Sequence, residues 1–98
     1  MKLLIEAQYE KDGQKGTARA EVPFETGRHE LPDVYPFDQH VNYVGPDAGY
    51  SLGHVDVNAK ERRITFGYVW IVNLDEEGKG QYLLEKATGN ILFLFRLQ

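Results

Sequence analysis

The side chains best suited to chemistry are three histidines and the acids beside them. Asp38 and His40 stand two apart, as do His54 and Asp56. On a strand, residues two apart share a face, so His54 and Asp56 project together. Imidazole with carboxylate is a donor pair for zinc or another divalent ion. The histidines, however, are eleven and fourteen positions apart, and no compact ligand motif has those spacings. His54 and Asp56 are therefore weak metal candidates, and no cofactor is expected.

Nucleophilic catalysis requires a hydroxyl beside a histidine that a third group orients. Ser51 is the sole serine and lies three residues before His54, so on a strand the two point to opposite faces. No nucleophile elbow and no glycine-rich loop opening a helix is present. An enzyme using His40 or His54 with nearby carboxylates is the minority reading.

A third group of residues suits contact rather than catalysis. Tyr35, Phe37, Tyr43 and Tyr50 lie among Gly45, Pro46, Asp47 and Gly49. Tyrosine joins a large apolar area to a polar tip at low entropic cost, which suits partner binding. Residues 35–50 are thus the expected partner-binding surface, with Tyr35, Phe37 and Tyr43 as anchors. His40 would serve as a hydrogen-bonding or pH-sensitive contact, and Asp38 and Asp47 as the polar rim. The competing reading makes these rings a lid over the sheet, because a small domain needs its large side chains for its own core. The acidic run Asp75, Glu76 and Glu77 is a second candidate contact, able to steer a basic partner; its plainer role is a solubilising turn.

These residues must be held by strands. Leu3, Ile5, Ala7 and Tyr9 alternate with polar residues, and only Leu4 breaks the polar face. A turn at 12–16 leads to a return strand with Ala18, Ala20, Val22 and Phe24 on one side. Pro23 has no N–H to donate, which puts that strand at a sheet edge or ends it there. Ile64, Phe66, Tyr68, Trp70 and Val72 follow the same period, and Ile91 to Leu97 is apolar on both faces. The expectation is six strands, at 2–11, 17–25, 50–58, 63–73, 81–86 and 91–97, with 81–88 alternatively a short helix ended by Gly89. All four prolines fall between positions 23 and 46, so the connection 26–49 is read as proline-rich, aromatic and non-helical. The fold class is all-β, a small antiparallel barrel or a two-sheet sandwich. Ile5, Phe66, Tyr68, Trp70, Phe93 and Phe95 are its expected core.

Composition narrows the function further. Ninety-eight residues, 42% of them hydrophobic, make one domain spanning 1–98. Fifteen acids against eleven bases give a net charge of −4, which disfavours nucleic-acid binding. The lack of cysteine, of an apolar leader and of a membrane-length apolar run predicts a cytoplasmic protein without membrane contact. Val69, Ile71, Leu92 and Leu94 suggest a second apolar face which, with strand edges at the two ends of the chain, predicts a homodimer. The reading that results is a non-enzymatic protein-binding module, such as an inhibitor, immunity-type or adaptor protein. The alternative is a β-barrel holding a small apolar ligand or a divalent metal.

Overall fold

The computed structural model describes residues 1–42, 49–67, 69–85 and 89–98. Among these the strands are β1 (Lys2–Lys11), β2 (Gln14–Pro23), β3 (Gly27–Glu30), β4 (His40–Asn42), β5 (Gly49–Ser51), β6 (His54–Asn58), β7 (Arg63–Phe66), β8 (Trp70–Asn73), β9 (Lys79–Leu84) and β10 (Ile91–Leu97). Two antiparallel four-stranded sheets, ordered β2-β1-β10-β9 and β3-β6-β7-β8, pack as a sandwich, and β4 and β5 form a separate pair. The expected all-β class holds, in its sandwich form rather than as a closed barrel. The stretch read as strand or helix is strand through Leu84.

The first hairpin is tighter than its glycines suggested. Lys11 pairs with Gln14, leaving only Asp12 (φ 52°) and Gly13 (φ 77°) in the turn. Two left-handed residues in a two-residue loop match the right-handed twist of the strands, so pairing begins at once. β2 therefore starts at Gln14 rather than at Thr17, and it is an edge strand ending in Pro23, as its missing donor requires.

The stretch 63–73, expected as one strand, is a hairpin of β7 and β8. Phe66 pairs with Trp70 and Ile64 with Val72, and all four are buried. The register pairs even with even, so the two strands share one period-two pattern. Periodicity cannot register such a fold-back. The connection 74–78 then joins β8 of one sheet to β9 of the other, so the acidic turn is a crossover between sheets.

The core lies between the sheets. Leu3, Ile5 and Ala7 of β1 and Ile91, Phe93 and Phe95 of β10 face Val55, Val57, Ile64, Phe66, Trp70 and Val72. At its centre Phe66 sits 5.1 Å from Phe93, 5.5 Å from Phe95, 5.5 Å from Trp70 and 5.6 Å from Tyr82, between ring centroids. Such tilted and edge-on contacts add to burial. Of the expected core, Ile5, Phe66, Trp70, Phe93 and Phe95 are all 5% exposed or less; Tyr68 lies outside the described residues.

Two expectations about surface are corrected. Val69 and Ile71 belong to the β3-β6-β7-β8 side of the sandwich, and Leu92 and Leu94 to the outer face of the other sheet. They do not form one apolar face. Nor do the terminal strands offer free edges: β1 and β10 pair with each other in the middle of their sheet. Among the described residues no helix is long and apolar enough to cross a membrane.

Candidate functional site

The segment 31–39 packs against the core of the sandwich. Phe37 is 1% exposed and belongs to the core, and Pro36 is buried beside it. Tyr35 packs edge-on against Tyr9, with centroids 4.7 Å apart, and Lys11 Nζ lies 4.5 Å from the Tyr35 ring. Burial, and then Tyr9 and the carboxylates of Asp38 and Asp12, push the Tyr35 phenol above its ordinary pKa. Of the expected anchors, then, Phe37 is a core residue and Tyr35 is half-buried packing. Asp38 is exposed, its Oδ1 accepting from Gln39 Nε2 at 3.0 Å, and His40 is exposed in β4 opposite Ser51. Tyr43 and Asp47 lie outside the described residues.

The acidic turn has a structural use. Asp75 Oδ1 accepts from the backbone N–H of Glu77 and of Lys79, each at 2.9 Å. The Asp75 N–H donates to the Lys79 carbonyl at 2.8 Å, so one residue organises the crossover. Glu77 pairs with Lys79 at 3.4 Å, and Glu76 is exposed.

The strand face shared by His54 and Asp56 brings the imidazole Nε2 to 3.7 Å from the Asp56 carboxylate. His54 is 1% exposed. Its burial, and then the Arg28 charge, hold the imidazole below its usual pKa, against the pull of Asp56 and Glu30. Among the described residues no group of three His, Asp or Glu gathers to hold a metal ion.

A different surface stands out once the register is known. The outer face of the β2-β1-β10-β9 sheet is arranged in rows across its strands. One row runs Glu21, Leu4, Arg96, Lys79, the next Arg19, Glu6, Leu94, Gln81, and a third Thr17, Gln8, Leu92, Leu83. This face forms an open trough of about 1020 Å³, floored by Leu4 and Leu94 and rimmed by Arg19 and Glu21 on one side and Asp75 and Lys79 on the other. A shallower depression of about 440 Å³ continues past Gln8, Leu92 and Leu83. The chain matches no protein-family model, no curated protein and no solved structure.

Glu6, beside Leu94 on this face, anchors the rim residue Arg19. Its carboxylate accepts from Gln8 Nε2 and from Arg19 Nε, both at 2.9 Å. Those two hydrogen bonds, together with the charges of Arg19 and Arg96, keep the carboxyl below its ordinary pKa despite some desolvation. Charge-assisted hydrogen bonds of this kind fix the Arg19 guanidinium relative to β1. Sequence reasoning registered Leu4 as a break in a polar face, and Leu92 and Leu94 as members of a second apolar face. Only the β1–β10 register brings them together, with Arg19, Gln81 and Arg96 around them.

Proposed function

We propose that this chain is a non-enzymatic protein-binding module whose contact surface is the trough on the β2-β1-β10-β9 sheet. The observation that carries this reading is the leucine floor, Leu4 and Leu94 with Leu92 and Leu83 beyond, set among rim charges of both signs. An apolar centre with a charged rim is the anatomy of a specific contact surface. A partner would lay apolar side chains over Leu4 and Leu94 and offer a carboxylate to Arg96. The acidic turn contributes Asp75 to the rim. The segment with Phe37 and Tyr35 packs against the scaffold.

A ligand held inside the fold is less well supported, because the rings of Phe66, Trp70, Phe93 and Phe95 fill the space between the sheets. The test is site-specific photo-crosslinking from position 94, with the exposed Glu61 position as control. A partner captured from 94 and not from 61 is purified and titrated. The Leu4→Asp/Leu94→Asp variant should then bind it at least about tenfold more weakly while melting near the wild-type temperature. Undiminished affinity in that variant would refute the reading.

A further inference from the structure

The long outer strand β2 offers a second contact, of a different kind. Hydrogen-bond parity determines which of its backbone groups are used. Phe24 N–H donates to the Met1 carbonyl, and Gln14 closes the two-residue hairpin with Lys11, so even-numbered residues of β2 bond to β1. The N–H and C=O groups of Lys15, Thr17, Arg19 and Glu21 consequently point away from the sheet. All four residues are exposed. Pro23 ends the row, since it has no N–H to offer.

We infer that this edge pairs with the same edge of a second copy, antiparallel about a two-fold axis at Ala18. In that register Lys15 faces the partner copy's Glu21, and Thr17 faces its Arg19, and each pairing occurs twice. All four outward-pointing residues are engaged and Pro23 stays outside the ladder. Shifting the pairing by one step in either direction sets Arg19 against Arg19, or Lys15 against Arg19. Like charges directly opposite one another oppose pairing, so the charge pattern selects one register. On the core side of the joint stand only Gly16, Ala18 and Ala20, small enough for the two sheets to meet without a steric ridge. The occupant is a copy of this chain because the strand is complementary to itself in charge as well as in hydrogen bonding. The inference does not depend on what the trough binds.

Light scattering and sedimentation on the purified chain from about 10 to 500 μM test it, a range that brackets ordinary weak dimers. Wild type should double in mass across the range. Lys15→Glu and Glu21→Lys should each raise the dissociation constant roughly tenfold or more, since symmetry makes each change count twice, and the double exchange K15E/E21K should restore association. Thr17→Pro should abolish the dimer, for it removes an outward N–H and no bond to β1. Glu10 stands opposite Lys15, and Lys2 lies 3.5 Å from Glu21, so melting temperature is followed on every variant. Should Thr17→Pro fail to fold, the charge exchange decides alone. A wild-type monomer at 500 μM, or a dimer indifferent to both charge reversals, would overturn the inference.

Discussion

The Trp70 indole occupies the space in which a side chain on Gly67 would stand. Gly67 has φ 59°, in the left-handed region, and a Cβ built there would overlap the six-membered ring of Trp70. Two requirements therefore meet at one residue: a backbone conformation that closes the β7–β8 turn, and a gap that lets the indole reach Phe66. Gly67→Ala should cost about 2–4 kcal/mol, combining left-handed strain with overpacking. Urea denaturation checks it, and a midpoint unchanged from wild type would contradict the turn described here.

Phe37 and Tyr35 should separate cleanly. Phe37→Ala removes a core ring and should cost about 3–5 kcal/mol, whereas Tyr35→Ala loses an edge-on stack and should cost about 1 kcal/mol. Thermal melts of the two variants measure the difference. Equal and small effects would return both rings to the role of surface anchors.

At the crossover, Asp75→Ala removes the acceptor shared by the Glu77 and Lys79 N–H groups and should cost about 1–2 kcal/mol. Asp75→Asn keeps an acceptor oxygen and should stay close to wild type, and Glu76→Ala should be neutral. Chemical denaturation of the three variants tests whether the turn's acids act through hydrogen bonding or through charge.

Stability should fall as pH drops below about 6.5, the ordinary histidine value. His54 binds its proton less readily when folded than unfolded, so between the two pKa values the unfolded chain carries more protons and is favoured. His54→Leu should flatten the denaturation midpoint across pH 7.5 to 5.5. Glu6 acts in a lower window: its carboxyl is depressed when folded, so its contribution is present above the carboxylate range and is lost only as pH falls through it. A wild-type midpoint constant down to pH 5.5 would count against a buried neutral His54.

What could be read from the sequence follows from what a strand pattern encodes. Alternation at Leu3, Ile5 and Ala7, and at Ile91, Phe93 and Phe95, identified inward-facing residues because burial imposes period two. The same alternation hid the β7–β8 reversal, since Phe66 and Trp70 share parity across it. Register was the larger omission. Nothing local to Leu4 or Leu94 says that β1 lies beside β10, so the trough those residues floor was invisible until the pairing was known. Leu92 and Val69 looked like members of one patch for the same reason, sheet membership being a property of topology. Aromatic density in 35–37 was read as a contact surface, with a lid over the sheet as the competing reading, and the burial of Phe37 in the core favours the second at that residue.

The pairing of β1 with β10 has a consequence for how the chain reaches its native state. As the polypeptide leaves the ribosome, β1 and β2 can zip together immediately through their two-residue turn. Leu3, Ile5 and Ala7 then wait, with one strand edge open, for Leu97, Phe95 and Phe93 to be made. Closing so long a loop is entropically costly, and contacts distant in sequence slow folding. During that interval the nascent hairpin exposes an apolar face and an unpaired edge together, the combination that chaperones recognise and that leads to aggregation.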